Sequence, residues 1–274
     1  MRVIAVVRDR DKAARLLPQD VEVREAELGD RDALARSFAD VDAVVANAAL
    51  ISFRSPRRTM RTNVDGTRNT FEAIAGAGVQ RAVFVSSVAA YRASSALIDE
   101  TGPLRAPGMD SLLNAYGVSK AVGESVAGAI SDRAGIALTC FRPCGITGPE
   151  DPLLWPIVER VMRVPIVPFP AYTTIGLVHA ADVADAIVTA LEKPERTAGK
   201  TYNLQGHTLT LWELADAWRR AGGRSPRLRI PVPLPVALRY DDSRARRELD
   251  WTPRSLDAIL QETIAARRGS QLAG

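Results

Sequence analysis

A chain of 274 residues, 46% hydrophobic and 25% charged, is long enough to bury a full core without disulfide or metal staples. Two cysteines exclude a disulfide framework, and two histidines, distant from each other in sequence, exclude a zinc-finger type of site. The net charge of +4 gathers in "RSPRRTMR" (54–61) and "RYDDSRARRELDW" (239–251), which read as solvated faces; aromatic residues are only 5% and none alternates with the arginines, so no nucleic-acid platform is expected.

The chain opens with an apolar strand, "RVIAVV", that stops at Arg8 and passes into a helix pattern from Lys12, with Asp9 or Asp11 as its cap. The charged residues from Arg8 to Lys12 also break any signal-peptide pattern, and no run reaches the ~18 apolar residues of a membrane span. The expectation is a cytoplasmic protein with a small-molecule substrate, no membrane partner and, through an open sheet edge described below, a homo-oligomer among its options. "VEVREAEL" (21–28) is the next strand and "DRDALARSFAD" the next helix. "VDAVVANAA" (41–49) is a strand followed by a loop and a helix from about Val64 to Ala77. "RAVFVSS" (81–87) is a buried strand, and after a Ser-, Gly- and Pro-rich loop a long helix runs from about Ala115 to Arg133. "IALTCFRP" (136–143) is a strand and "ADVADAIVTALE" (181–192) a helix. Short apolar strands alternating with helices predict an α/β fold, a Rossmann-like parallel sheet flanked by helices.

After Gly148 the pattern loosens. "EDPLLWPIVERVMRVPIVPFPAY" mixes a helix with prolines, and "GKTYNLQGHTLTLWELADAWRRAGG" reads as strand, turn and a helix capped by Thr208 or Thr210. The three alternating prolines of "RIPVPLPVALRY" exclude a central strand or a helix interior. These parts predict a small substrate cap, about 150–172 and 207–274, on a core of 1–149 joined by about 173–206.

The sharpest chemical signal is "NAYGVSK". Tyr116 and Lys120 are four residues apart and share a helix face. Ser87 ends a buried strand, where open α/β sheets bind ligands. A phenol beside an ammonium, with a hydroxyl to hold a substrate oxygen, is an acid–base unit suited to hydride chemistry. The ammonium is expected to lower the phenol's pKa. His179, near a helix start, is read as a packing or capping residue, and His207 sits in a turn beside Gly206.

These pieces, in their order, resemble the extended short-chain dehydrogenase/reductase superfamily of NAD-dependent epimerase/dehydratases and 3β-hydroxysteroid-dehydrogenase-like reductases. "VDAVVANAA", "TNVDGTRNTFEAIAGAGVQRAVFVSS", "YGVSK", "FRPCGITGPED", "GLVHAADVADAIVTAL", "TYNLQGHTLTLWELADAW" and "YDDSRARRELDWTPRSLDAIL" carry the resemblance over nearly the whole chain. It implies Ser87, Tyr116 and Lys120 as catalytic residues. It implies Arg8, Ala46, Ala48, Asn63, Lys120, Pro143 and Cys144 as cofactor-binding residues, and no metal. Arg8 stands where the family reads the adenosine ribose, and an arginine there suits the 2′-phosphate of NADP; NAD remains the other reading.

"MRVIAVVRDR" resembles the second strand of that family. The first strand and its Gly-x-x-Gly-x-x-Gly turn, which would hold the pyrophosphate, have no counterpart, so weak dinucleotide binding is expected. Without that strand, Val3–Val7 should either pair directly with Val41–Ala46 or leave an open edge. Three functions stay open: an NAD(P)-dependent oxidoreductase or epimerase/dehydratase working through Ser87, Tyr116 and Lys120; a cofactor-independent cyclase, eliminase or isomerase of the same fold; and a non-catalytic binding protein.

Overall fold

The structure, a computed structural model, describes residues 1–52, 54–149, 151, 154–170, 173–232 and 238–272. It falls into two compact units. The first comprises Met1–Tyr91, Pro103–Phe141 and Ala190–Thr201; the second comprises Arg92–Gly102, Arg142–Thr189 and Tyr202–Gly274.

Elements alternate as the sequence predicts: β1 (Ile4–Val7), α1 (Arg10–Leu16), β2 (Glu22–Glu25), α2 (Arg31–Ser37), β3 (Val44–Ala46), α3 (Pro56–Gly76), β4 (Arg81–Val85), α4 (Asp110–Leu113), α5 (Ala115–Ala134) and β5 (Ala137–Pro143). Asp9, one of the two expected caps, accepts from the Lys12 N–H and starts α1; Asp30 does the same for α2 through Ala33. The third helix begins at Pro56, earlier than the expected Val64, because a proline at the first helical position arrives with its φ preset. The arginines of "RSPRRTMR" are therefore a solvated helix face, while Thr59 among them is buried and donates to the Ser52 carbonyl.

The β3, β4 and β5 strands are parallel, with Val44 opposite Ala82 and Phe84 opposite Cys140. Their core includes Leu34, Phe38, Phe71, Ile74, Phe84 and Ile130. Phe71 meets Phe84 edge-on at 6.0 Å between ring centroids. The first two strands form a separate parallel pair, Ile4 opposite Glu22 through Val7 opposite Glu25, with no ladder joining them to β3 among the described residues. Among the described residues Val3–Val7 does not pair with β3, so the contracted sheet expected as one outcome is not formed.

Further along the chain come β6 (Gly145–Thr147), α6 (Leu154–Met162), β7 (Ile166–Pro170), β8 (Thr174–His179), α7 (Ala180–Glu192), α8 (Pro194–Thr197), β9 (Thr201–Leu204), β10 (His207–Thr210), α9 (Leu211–Arg220), β11 (Leu228–Val232), α10 (Ser243–Leu249) and α11 (Leu256–Leu272). The Cys140 N–H donates to the Lys200 carbonyl, which leads into β9 beside β5. Within the second unit, β8 lies between β10 and β6, antiparallel to the first and parallel to the second. The expected turn at 206–210 is thus a short strand as well as a turn: Gly206 takes a positive φ of 65° and frees His207–Thr210 to pair with β8. Thr210, not Thr208, caps α9, and Glu213 returns the bond to close a capping box. Among the described residues the proline-rich β11 pairs with β7, as a two-stranded ribbon. Pro233 and Pro235 lie outside the described residues. Trp155 and Trp218 stack at 5.2 Å in this unit's core, with Leu214, Leu260 and Ile264. No described helix is long and apolar enough to cross a membrane.

Parallel strands with helical crossovers and a strand-end site make the chain an α/β protein with a Rossmann-like fold.

Candidate active site

The C-terminal end of β4 turns sharply. After Val85 come Ser86 and Ser87, then a 3₁₀ turn over Val88–Ala90 in which the Ser87 hydroxyl accepts from the Ala89 N–H. Arg105 braces this turn, donating from Nε to the Ala89 carbonyl at 3.0 Å while its guanidinium pairs with Asp110 at 2.8 Å. The α5 helix starts beside it, capped by Asn114, which accepts from the Gly117 N–H. The approach is so close that a Cβ on Gly117 would lie 2.2 Å from the Ala89 carbonyl oxygen. Glycine at this position lets helix and turn touch, and the touch brings Tyr116 to Ser87.

Ser87 and Tyr116 are both half-buried, and the Ser87 hydroxyl is near enough to the phenol to act on its pKa. Burial pushes the Tyr116 phenol above its usual pKa, and the Ser87 hydrogen bond pulls it back in part. This corrects the expectation that Lys120 lowers it. The Lys120 side chain, 4% exposed, donates from Nζ to the Val85 carbonyl at 2.6 Å and lies 6.0 Å from the centre of the Tyr116 ring. The ammonium sits 5.0 Å from the Phe84 ring centre, and burial depresses its own pKa to about 8, against the pull of Cys140 and Glu124.

Asn63 is buried and ties two pieces of the site together. Its Oδ1 accepts from the Leu50 N–H at 2.7 Å, and its Nδ2 donates to the Leu50 carbonyl and to the Ser119 hydroxyl at 2.9 Å. The Ser119 hydroxyl in turn donates to the Tyr116 carbonyl at 2.7 Å. Asn63 is thus a positioning residue for the loop after β3 and the first turn of α5. Beneath them, the Ser86 hydroxyl binds the Glu124 carboxylate.

The first unit therefore brings together Ser87, Tyr116, Lys120 and Asn63. Ala46 is half-buried at the end of β3 and Ala48 is exposed in the loop held by Asn63. Arg8 is exposed just past β1. Pro143 and Cys144 belong to the second unit; the Cys144 thiol is buried, donates to the Gln205 carbonyl at 2.9 Å, and has its pKa pushed strongly upward by burial. Ser119, Arg105 and Gly117 were not found from sequence. Their only signal was proximity to Tyr116 or a loop position, since a hydroxyl, a guanidinium and a missing Cβ show their use only when the turn they touch is known. His179 is a capping residue, its Nδ1 accepting from the Ala181 N–H at 3.3 Å, and His207 Nε2 contacts the Arg254 carbonyl at 2.7 Å.

The strand-end hydroxyl, phenol and lysine suit a nicotinamide and its ribose. A pyrophosphate needs free N–H groups at a helix start. At the helices after β1 and β2, Asp9 and Asp30 each take one first-turn N–H, from Lys12 and Ala33, and put a negative charge there.

The chain belongs to the NAD dependent epimerase/dehydratase family, whose model matches residues 1–204. It is 27% identical over 269 residues to a ceramide reductase of Caulobacter vibrioides, covering 91% of this chain and 77% of that protein. It is 28% identical over 268 residues to a UDP-glucose 4-epimerase of Bacillus subtilis, covering 85% and 77%. It spans only 52% of an Arabidopsis thaliana 3beta-hydroxysteroid-dehydrogenase/decarboxylase, at 26% identity over 231 residues and 78% of this chain. Among solved structures, a UDP-glucose 4-epimerase from Thermotoga maritima with UDP-glucose superposes with a TM-score of 0.82 at 23% identity, covering 98% of this chain and 91% of that one. A UDP-glucose-4-epimerase from Stenotrophomonas maltophila with bound NAD gives 0.83 at 23% identity, covering 99% and 92%.

Proposed function

We propose that this chain carries the acid–base half of an NAD(P)-linked oxidoreductase or epimerase/dehydratase acting on a hydroxyl or carbonyl. The observation that carries the reading is the proximity of the Ser87 hydroxyl to the Tyr116 phenol, with Lys120 one helical turn along. The Ser87 hydroxyl holds the substrate oxygen. The Tyr116 phenol gives its proton to that oxygen in reduction and recovers it in oxidation. Its raised pKa keeps the phenol protonated at neutral pH, which favours the donating direction. Lys120 keeps a positive charge near the ring and supplies donors for a ribose. When bound, a nicotinamide supplies or takes the hydride. The names of the relatives suggest a first substrate panel of UDP-glucose, a ceramide-type ketone and a 3β-hydroxysteroid.

The same reading includes a weak grip on the dinucleotide by residues 1–274, because the glycine turn that would hold the pyrophosphate has no counterpart in them. Titration calorimetry should give dissociation constants weaker than micromolar for NAD(H) and NADP(H), and micromolar or tighter binding would mean that another cradle exists. In the turnover assay, Tyr116→Phe should lower kcat by about 10²–10⁴-fold without unfolding the protein. Unchanged turnover in that variant would leave the family's fold here without its chemistry.

A further inference from the structure

The α9 helix runs out in "WRRAGGR" (218–224). Gly222 takes a positive φ of 91°, which turns the chain back on the helix, and the Gly223 N–H donates to the Trp218 carbonyl at 2.9 Å. Gly223 then lies so close to the Trp218 indole that a Cβ there would be 2.1 Å from Nε1. This turn, with α6 and α11, lines a cavity of about 490 Å³. All of its lining residues belong to the second unit, and none of them takes part in the Ser87–Tyr116 site. The volume falls within the range of about 300–1,000 Å³ in which proteins hold small molecules.

The lining is of two kinds. Met162 of α6, Trp218 of α9 and Ile264 of α11 are buried and apolar, and the Trp218 ring is held in place by stacking on Trp155. The charged part is Glu159 and Arg163 of α6, Arg224 of the turn and Arg267 of α11. Glu159 is already matched: its two oxygens accept from Arg267 Nε at 2.6 Å and Nη2 at 3.3 Å, and Arg163 lies 3.9 Å from one of them. Three guanidiniums against one carboxylate leave the cavity positive. Arg224 is exposed and has no ion pair among the described residues. Arginines alone would be a solvated face, and an apolar lining alone would suit any apolar occupant. Together they match a molecule with an apolar body and one anionic end. A single unpaired guanidinium calls for one charge, not for a polyphosphate chain.

We propose that the cavity between α6, α11 and the turn after α9 is a binding site for an amphipathic monoanion, a carboxylate on a flat apolar body. The body lies against Met162, Trp218 and Ile264. The carboxylate takes two parallel N–H bonds from Arg224, whose planar guanidinium matches it in shape. Arg267 stays with Glu159, so that the buried carboxylate does not oppose the ligand. The inference stands apart from the Tyr116 chemistry and fails separately from it.

The test is a titration of the 274-residue protein with 2-naphthoate, followed through the methyl NMR signals of its methionines and isoleucines. The Met162 and Ile264 methyls should shift saturably, with a dissociation constant of about a millimolar or tighter. Two partial probes separate the contributions: 2-naphthalenemethanol keeps the body without the charge, and inorganic phosphate carries charge without the body. Each should bind about tenfold or more weakly than 2-naphthoate. Arg224→Gln, at an exposed position, leaves the fold intact; it should weaken 2-naphthoate by about tenfold and leave 2-naphthalenemethanol unchanged. Failure of the two methyls to shift, or saturation only well above a millimolar, would overturn the proposal. Equal binding of the alcohol, or unchanged affinity for 2-naphthoate in Arg224→Gln, would overturn it in favour of a merely apolar hollow. Tighter binding of phosphate than of 2-naphthoate would overturn it in favour of a plain anion site.

Discussion

A buried lysine is costly at neutral pH, and Lys120 is one. Its folded pKa of about 8 lies below its ordinary 10.5, so between those values the unfolded chain binds more protons than the folded one. Stability linked to this group therefore rises as pH increases from about 8 to 10.5, and at pH 7 the full penalty of burying the ammonium is present. Lys120→Met should raise stability near pH 7 by roughly 1–3 kcal/mol, with the gain shrinking through that alkaline window, while turnover falls. Denaturant melts of both proteins at pH 7 and pH 10 are the check; a variant less stable than wild type at pH 7 would show that the Val85 bond outweighs desolvation. Tyr116 and Lys120 were legible because a four-residue spacing on a helix implies a shared face. The direction of the Tyr116 pKa was not legible, because it depends on burial and on where Nζ points. Spacing cannot tell that Nζ points to a backbone carbonyl.

The helix α5 is positioned by contact at its first turn. Gly117→Ala would place a methyl against the Ala89 carbonyl, so helix or turn must move. A loss of about 2–3 kcal/mol is expected, together with a fall in kcat out of proportion to any change in KM, since the move separates Ser87 from Tyr116. Wild-type stability and turnover in that variant would mean that the turn yields freely. At the α9 start, Thr210→Ala removes the capping box and should cost about 1 kcal/mol in a thermal or denaturant melt, with the active site untouched. The N-terminal helix starts and long strands were legible, Asp9 and the apolar run 81–87 being examples, because caps and periodicity are local signals. The early start of α3 at Pro56 and the strand His207–Thr210 were not legible: one hid behind an arginine-rich stretch, and the other needs β8 as its partner.

Over the whole molecule, the ordered strands and helices made the Rossmann-like class readable, because each local pattern agreed with the same sheet. That Arg92–Gly102 belongs with the second unit was not readable, since it joins through tertiary contacts such as Ile98 with Tyr240 and Asn203 with the Glu100 carboxylate. The separation of the β1–β2 pair from the β3–β5 ladder has one more outcome. A ribbon without ladder bonds to its neighbours can lift away at small cost, and α1 contributes only Ala13 as a fully buried residue. Protease should find it first. Brief trypsin digestion should cut at Arg8, Arg10, Lys12 and Arg15 well before any site in α5, releasing the leading residues and leaving a trimmed body that still contains Ser87, Tyr116 and Lys120. Mass spectrometry of the early fragments reads this directly, and early cleavage inside α5 would show that the molecule opens from the active-site helix instead.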